Sequence, residues 1–288
     1  MAIKLIAMDV DGTLLNQEGE VTKEVKEAFQ EADRAGIKLA LATGRVRAEC
    51  IPLLMRLPEI RYTVNCTGAS VYDLDREKEI FANSIPMETV REVYIRLYDI
   101  SCQFEVMADG VVYCDAKKFG PMTASYPDGH LEYYMQTLRT TRTAVNLERL
   151  LRQRQLPVSK LHMFFRNPKA SLWAERQLQD MDLLVLRSVP ENLEINMPDV
   201  DKGVGLRALA EYLELKPEEV MAIGDNLNDA GMLRYAGYPT LVANCNPSVL
   251  PLGKYMTASN EESGVAKAIR AALEGRMETL RICGEGRE

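Results

Sequence analysis

The sequence predicts an α/β fold in which a smaller α+β domain is inserted into a doubly wound parallel sheet. Apolar strands alternate with amphipathic helices at both ends of the chain, and the middle replaces this alternation with a hairpin signal. Strands that are apolar along most of their length are typical of parallel sheets covered on both faces. Because the alternation resumes after the middle segment, we interpret that segment as an insertion.

The first third of the chain reads strand, helix, strand, helix, strand. The predicted strands are "IKLIAMDV", "IKLALAT" and "RYTVNCT", and the predicted helices are "TKEVKEAFQEADRAG" and "RAECIPLLMRL". The first helix has Thr22 as its expected N-cap and Gly36 as its expected stop. Helical spacing predicts that one face of it is buried, namely Val25, Ala28, Phe29 and Ala32.

The last third has the same alternation, and the middle differs from both ends. Late helices are predicted at "KGVGLRALAEYLEL", "NDAGMLRYAG" and "EESGVAKAIRAALEG", and late strands at "EEVMAIGD" and "YPTLVAN". In the middle, "CQFEVMADGVVYCDA" carries the Asp-Gly turn of a β-hairpin. Strands at "VSKLHMFF", "DLLVLRSV" and "ENLEINM" and helices at "NLERLLRQRQ" and "KASLWAERQLQD" follow it. We expect a Rossmann-like core from residues 1–83 and 190–288, an α+β domain at 84–189, and a long loop at 119–130.

Composition excludes several classes of protein. The chain has 288 residues, 47% of them hydrophobic and 27% charged, which is typical of globular proteins with a sizeable core. A net charge of −7 argues against nucleic acid or an anionic membrane surface as the main partner. Six cysteines without a C-x-x-C pair predict neither a zinc site nor a disulfide framework. With no signal-peptide pattern and no membrane-length apolar stretch, we expect a cytoplasmic protein.

The stretch "IAMDVDGTLLN" places two carboxylates, Asp9 and Asp11, two residues apart in front of a glycine. On an extended strand these side chains project from the same face. Two like charges held so close are unfavourable unless a cation or a phosphoryl group uses them. A simple turn would also explain an isolated Asp-Gly, so the pair needs support from the rest of the chain.

Three further stretches place polar groups at strand ends or at a helix start. They are "LATGR" with Thr43, "DKGVGL" with Lys202, and "IGDNLND" with Asp225, Asn228 and Asp229. Ligands of open α/β sheets bind beyond the carboxyl ends of the strands, so we expect all four stretches to meet. Each alone fits an ordinary turn or helix cap. Together, their carboxylates, hydroxyl, ammonium and backbone amides suit Mg²⁺ and a phosphoryl group.

Two other motif interpretations are weaker. "DVDGTLLNQEGE" resembles a calcium loop at Asp9, Asp11 and Glu20, but its sixth residue is Leu14 instead of glycine and a strand precedes it. "GVGLRA" fits a degenerate dinucleotide fingerprint, but no clean buried strand precedes it.

The four motifs "DVDGTLL", "ATGR", "DKGVGL" and "GDNLND", in this order, resemble those of the haloacid dehalogenase superfamily. Over essentially the whole chain, the sequence is similar to the Cof-type branch of sugar-phosphate phosphatases. The inserted segment is similar to that branch's C2-type cap. The resemblance implies a haloacid dehalogenase-like fold and a Mg²⁺-dependent phosphatase that acts on a small phosphorylated metabolite, with sugar phosphates as the expected substrates.

The resemblance also implies roles for single residues. Asp9 would be the nucleophile that forms an aspartyl-phosphate, and Asp11 the general acid and then the base. Mg²⁺ would be held by Asp9, the backbone carbonyl of Asp11, and Asp225, with Asp229 orienting the metal site or Lys202. The expected contacts of the phosphoryl group are Val10, Thr43, Gly44, Lys202 and Asn228.

One position departs from the resemblance, and two other functions stay open. In "VNCTGASV", Thr67 stands where many relatives carry the Asn of an Asn-Gly-Ala turn. A hexose-phosphate mutase would use the same four motifs. A non-enzymatic sensor of a phosphorylated metabolite would keep the fold without needing both Asp9 and Asp11. Substrate choice is expected in the cap, with the hairpin around Asp109 and Gly110 and the loop 119–130 as candidates.

Overall fold

The structure is a computed structural model. It describes residues 2–116, 142–165, 167–187 and 189–282. The loop predicted at 119–130 therefore lies outside the described residues. Within the described ranges, no helix is both long and apolar enough to cross a membrane.

The elements follow one another along the chain in an α/β order. The strands are β1 (Leu5–Met8), β2 (Lys38–Ala42), β3 (Ile60–Asn65), β4 (Ser70–Asp73), β5 (Lys78–Ala82), β6 (Cys102–Ala108), β7 (Val111–Asp115), β8 (Arg142–Val145), β9 (Val158–Phe165), β10 (Leu184–Leu186), β11 (Asn192–Asn196), β12 (Val220–Gly224), β13 (Tyr238–Leu241) and β14 (Tyr255–Met256). The helices are α1 (Lys23–Arg34), α2 (Arg47–Leu54), α3 (Met87–Arg96), α4 (Leu147–Gln153), α5 (Pro168–Arg176), α6 (Lys202–Tyr212), α7 (Ala230–Tyr235) and α8 (Gly264–Leu273).

The chain divides into two compact units. The first unit contains Met1–Gly44, Pro52–Phe81 and Asp201–Glu288, and the second contains Arg45–Ile51 and Ala82–Val200. The boundaries predicted from the sequence are 83/84 and 189/190, and they leave Arg45–Ile51 and residues 190–200 outside the inserted domain. Residues 190–200 lie in the second unit because β11 pairs antiparallel with both β9 and β10.

The first unit is built on a sheet with the strand order β14-β13-β12-β1-β2-β3-β4-β5. The pairs from β14 to β3 are parallel, and β3 pairs antiparallel with β4. All four residues of β1 are buried, as expected for a strand at the centre of a sheet covered on both faces. The predicted α/β core is therefore confirmed.

Helix α1 shows how closely local patterns fix an element. Its buried residues are the four that the spacing predicts, Val25, Ala28, Phe29 and Ala32. Thr22 accepts a hydrogen bond from the Val25 N–H, which satisfies one of the free amides of the first turn. Gly36 follows the helix at φ +78°, a backbone conformation that favours glycine.

The second unit contains a sheet with the strand order β10-β11-β9-β6-β7-β8. Strands β6 and β7 form the predicted hairpin, with Asp109 at φ +53° and Gly110 at φ +74° in the turn. The apolar face of the sheet packs with residues of α3, α4 and α5 into a core that includes Phe104, Leu161 and Ile195.

Several short elements were not predicted: β4, β5, α3, β8 and β14. β14 has only two residues, and the five residues of β5 are half-buried or exposed. Strands of this kind lack the continuous apolar pattern that marked the central strands, so the sequence signal for them is weak.

Candidate active site

Three of the four predicted motif stretches follow neighbouring strands of the first sheet. Asp9 comes directly after β1, Thr43 directly after β2 and Asp225 directly after β12. Because β12, β1 and β2 are adjacent and parallel, their carboxyl ends lie at the same edge of the sheet. The Asp9 N–H donates to the Ile223 carbonyl at 3.0 Å, which ties the first motif to the fourth.

Lys202, from the third motif, is a fully buried ammonium held between two carboxylates. Its Nζ lies 2.5 Å from Asp9 Oδ1 and 2.7 Å from Asp229 Oδ1. The Lys202 and Asp229 side chains have no exposed surface, and that of Asp9 is 6% exposed. Buried charges are stable only when they are paired in this way, so the three residues form one electrostatic unit.

The glycines of "DKGVGL" allow α6 to approach its neighbours closely enough to place Lys202. A Cβ on Gly203 would lie 2.4 Å from the backbone of Gly231 in α7, and one on Gly205 would lie 2.5 Å from Val64. Asp201 caps the helix by accepting from the Val204 N–H. The dinucleotide interpretation is wrong because these glycines lie inside a helix and pack against other parts of the protein.

Asp229 organises the loop that follows β12. Its Oδ2 accepts hydrogen bonds from the backbone N–H groups of Asp225, at 2.9 Å, and Asn226, at 3.0 Å. Its Oδ1 accepts from Lys202, so both carboxylate oxygens are engaged. Asp229 thereby fixes the position of Asp225, whose side chain is partly exposed.

The loop after β1 brings a hydroxyl to the same place. Thr13 Oγ1 donates to Asp225 Oδ1 at 2.7 Å. Gly12 has φ +86°, and a Cβ there would lie 2.8 Å from Asp225 Oδ2. Thr13 was not among the predicted site residues, although "DVDGT" places it two residues after Asp11. Only the folded chain shows that it faces Asp225, which is 212 residues away.

The remaining predicted residues lie around this cluster with different exposure. Val10 and Thr43 are buried, Gly44 is half-buried, and Asp11 and Asn228 are exposed. The calcium interpretation has no support, because the Glu20 carboxylate lies 4.0 Å from Arg56 on the surface and is outside the carboxylate cluster.

Burial and the neighbouring charges shift the pKa values of the cluster. Burial raises the pKa of Asp9 to about 8, and the Lys202 ammonium opposes that shift. Burial alone would lower the pKa of Lys202, but Asp9 and Asp229 outweigh it, so the pKa is raised and the ammonium keeps its proton. Burial also raises the pKa of Asp225. When its three carboxylates are ionised, the cluster carries more negative than positive charge, because Lys202 supplies its one ammonium.

Among the described residues, Asp9, Asp225 and Asp229 form the one cluster with metal-ligating geometry. One carboxylate oxygen from each lies within 4.8 Å of the other two. Hard carboxylate oxygens are the ligands that Mg²⁺ and Ca²⁺ prefer, and a cation there would offset the excess negative charge. The residues present therefore fit a divalent cation.

The turn after β3 has an unusual backbone. Cys66 and Thr67 have φ +50° and +61°, and Gly68 has φ +101°. The Thr67 N–H donates to the Thr43 carbonyl at 3.1 Å, so the turn is joined to the second motif. A Cβ on Gly68 would lie 1.9 Å from the Asp201 carbonyl oxygen, and the turn thus packs directly on the start of α6.

Comparison with known proteins gives consistent results at the level of family, sequence and structure. The family model for haloacid dehalogenase-like hydrolases matches residues 6–269. A protein from Streptococcus pyogenes serotype M6 is 32% identical over 276 residues, covering 94% of this chain and 98% of its own.

Two further relatives have a named activity or a solved structure. The 5-amino-6-(5-phospho-D-ribitylamino)uracil phosphatase YcsE of Bacillus subtilis is 28% identical, covering 93% of this chain and 95% of its own. The crystal structure of a haloacid dehalogenase-like hydrolase from Bacteroides thetaiotaomicron superimposes with a TM-score of 0.80 at 26% identity, covering 93% of this chain and 98% of its own.

Proposed function

The chain belongs to the haloacid dehalogenase-like hydrolases and is a phosphatase, and we propose that it hydrolyses small phosphomonoesters with Mg²⁺ as its cofactor. The observation that carries the proposal is the buried contact of Lys202 with Asp9 and Asp229 at the carboxyl ends of β1 and β12. A protein that only binds phosphate needs cations and amides, and has no use for a buried carboxylate at that point.

Asp9 is the proposed nucleophile. One of its carboxylate oxygens attacks phosphorus, and the bond between phosphorus and the ester oxygen breaks, which leaves an aspartyl-phosphate. Lys202 Nζ holds the other Asp9 oxygen and supplies positive charge for the phosphoryl oxygens. Asp229 keeps that ammonium in place.

Asp11 is the proposed general acid and base. It gives its proton to the departing alkoxide in the first step, and it takes a proton from the attacking water in the second. The second step breaks the bond between Asp9 and phosphorus and releases inorganic phosphate. The exposure of Asp11 fits a group that must meet both substrate and water.

Asp9 and Asp225 would hold the Mg²⁺ ion, together with the backbone carbonyl of Asp11. When bound, the ion supplies positive charge that screens the repulsion between a carboxylate nucleophile and a phosphate dianion. In our proposal Asp229 acts indirectly, because both of its oxygens already accept hydrogen bonds from Lys202 and the 225–226 backbone. Thr13 orients Asp225, and Val10, Thr43, Gly44 and Asn228 are the proposed contacts of the phosphoryl group.

Sugar phosphates and related polyol phosphates are the proposed substrates. YcsE, which matches nearly the whole chain, is named for a substrate with a phosphorylated ribityl chain. Its activity belongs to that protein, but it makes a phosphorylated polyol the first compound to try here.

The test measures phosphate release from a panel of sugar phosphates and from 5-amino-6-(5-phospho-D-ribitylamino)uracil, with Mg²⁺ and with EDTA. Wild-type protein should release phosphate only with Mg²⁺, and Asp9→Asn should release none. Asp33→Asn, which changes a partly exposed carboxylate paired with Arg61, is the matched control and should act like wild type. Phosphate release by Asp9→Asn, or none by wild type, would overturn the proposal. Isomerised sugar phosphate in place of free phosphate would indicate a mutase.

A further inference from the structure

Two asparagines from the C-terminal part of the chain hold the loop that carries Asp11. The Asn244 Nδ2 group donates to the Gly12 carbonyl at 2.8 Å, and the Asn260 Nδ2 group donates to the Leu15 carbonyl at 2.8 Å. The backbone N–H of Asn260 donates to Asn244 Oδ1 at 3.0 Å, which joins the two contacts. We name Asn244 and Asn260 the carboxamide clamp.

The two carbonyls that the clamp holds lie next to Asp11 on both sides of a tight loop. Gly12 follows Asp11 directly, and Leu15 pairs with Asp11 in an isolated bridge. Within the loop, the N–H groups of Leu14 and Leu15 both donate to the Val10 carbonyl, at 3.1 and 2.9 Å. Fixing the carbonyls at 12 and 15 therefore restricts the backbone torsions that aim the Asp11 side chain.

The clamp connects this loop to a distant part of the chain. Asn244 lies in the segment after β13, and Asn260 in the segment before α8. Both side chains are at least partly exposed, and neither belongs to a buried core. The two carboxamides lie at the surface and contribute little to the core. Because they bind two loop carbonyls more than two hundred residues away in the sequence, they act on the loop itself.

We propose that the carboxamide clamp positions Asp11 for proton transfer to the leaving group, a role that rests on the proposed phosphatase function. Asp11 is exposed, and the backbone torsions next to it, which the clamp restrains, help to aim its side chain. A general acid must lie within hydrogen-bond reach of the leaving oxygen, and a displacement of about 1 Å can cost about 100-fold in rate.

The leaving group distinguishes this role from a general weakening of the fold. An alkyl phosphate must expel an alkoxide, which needs a proton from Asp11 as the bond to phosphorus breaks. p-Nitrophenyl phosphate expels a stabilised phenolate that needs no such proton. The ratio kcat/KM covers the steps up to departure of the alcohol, so a misplaced Asp11 lowers kcat/KM for the first ester far more than for the second.

The experiment compares kcat/KM for an alkyl phosphate and for p-nitrophenyl phosphate in Asn244→Ala, Asn260→Ala and the double variant. We expect Asn244→Ala to lose about 10- to 100-fold on the alkyl ester and less than about threefold on p-nitrophenyl phosphate. Asn260→Ala should lose less, because Asn244 then still holds Gly12. The double variant should resemble Asn244→Ala, because Asn244 Oδ1 accepts from the Asn260 N–H and its loss already loosens Asn260. Asn244→Ser is a second variant with a smaller change at the same site.

Glu261→Ala is the matched control. Glu261 Oε1 accepts from the Gln17 N–H at 2.6 Å, and thus holds the same segment six residues beyond Asp11. This variant should keep the wild-type ratio between the two esters. Equal losses on both esters in the Asn244 and Asn260 variants, or no loss at all, would overturn the clamp. A wild-type protein that hydrolyses neither ester would overturn the phosphatase proposal itself, which is a distinct result.

Discussion

Asp9 and Asp229 share one ammonium, that of Lys202, and all three side chains are buried. Removing one partner of a buried ion pair costs about 3–5 kcal/mol, because the other charge is left without compensation. Asp225 adds a third carboxylate to the same cluster. The site is therefore stable only as a set, and its excess negative charge favours a cation.

Among the described non-glycine residues with positive φ, Thr67 is the one with a β-branched side chain. It has φ +61°, a conformation that is rare for β-branched residues and several-fold more common for asparagine. The hydrogen bond from its N–H to Thr43 and the packing of Gly68 on Asp201 hold it there. The same turn in many relatives is expected to carry asparagine, which suits this conformation better.

Thr67→Asn should therefore stabilise the protein by about 0.5–1 kcal/mol, through relief of the left-handed strain. The free energy of unfolding in urea is the measurement. Thr67→Val keeps the branched side chain and its strain, and is the matched control. If the asparagine variant is no more stable than the valine variant, the left-handed backbone at position 67 does not destabilise the wild-type protein.

At the scale of elements, α6 depends on close contact more than on helix propensity. Gly203→Ala would gain about 1 kcal/mol of helix propensity, but its Cβ would lie 2.4 Å from the Gly231 backbone. Overpacking of this kind costs about 1–3 kcal/mol, so the net change should be destabilising. The shift of α6 should also displace Lys202 from Asp9 and lower phosphate release.

Urea denaturation and phosphate release together check this prediction. Val204→Ala, at the neighbouring half-buried position in α6, is the control and should keep most of the activity. A Gly203→Ala protein as active as wild type would show that the contact with Gly231 does not set the position of Lys202.

Helices α1 and α8 are joined by a paired carboxylate and guanidinium. Arg270 Nε and Nη2 donate to the two oxygens of Glu31 at 3.1 and 3.0 Å. These bonds hold the pKa of Glu31 below its ordinary value. A lowered carboxyl pKa stabilises the folded state at neutral pH, and that stabilisation is lost as pH falls through the lowered pKa.

Glu31→Gln should thus be less stable than wild type at pH 7, and the two should converge in acid. Because both side chains are more than a third exposed, the difference at pH 7 should be below about 1 kcal/mol. Urea denaturation across pH measures it, with the exposed Glu18→Gln as control. A difference that persists at low pH would argue against the ion pair as its cause.

At the scale of the whole molecule, each unit has a core of its own. In the first unit it includes Leu5, Leu206 and Ala222, and in the second Phe104, Leu161 and Ile195. The described site residues from Asp9 to Asp229 belong to the first unit. A ligand of this site should therefore stabilise the first unit directly.

We expect calorimetry to resolve two unfolding transitions, of which Mg²⁺ raises only one. At 100 times its dissociation constant, a ligand stabilises the unit that binds it by about 2.7 kcal/mol. Leu206→Ala and Leu161→Ala, each in a fully buried position, should lower one transition each and so assign them. Asp225→Asn should remove the effect of Mg²⁺. A rise of the transition that Leu161→Ala lowers would contradict the placement of the metal site.

The sequence by itself determined the central strands, the buried face of α1 and the motif residues at the strand ends. These follow from local rules: apolar runs, helical spacing, and polar groups where parallel strands stop. The local rules predicted that Asp9 and Asp225 each follow a parallel strand. Because β12 and β1 are neighbours in the sheet, the two residues lie at the same edge.

Only the tertiary structure decided which groups touch. The contact of Thr13 with Asp225, the approach of Gly203 to Gly231 and the reach of Asn244 to Gly12 join distant segments. No local sequence pattern predicts these contacts, because each contact depends on how whole elements pack. The same reason extends the second unit to residue 200, since β11 is placed by pairing with β9 and not by its own residues.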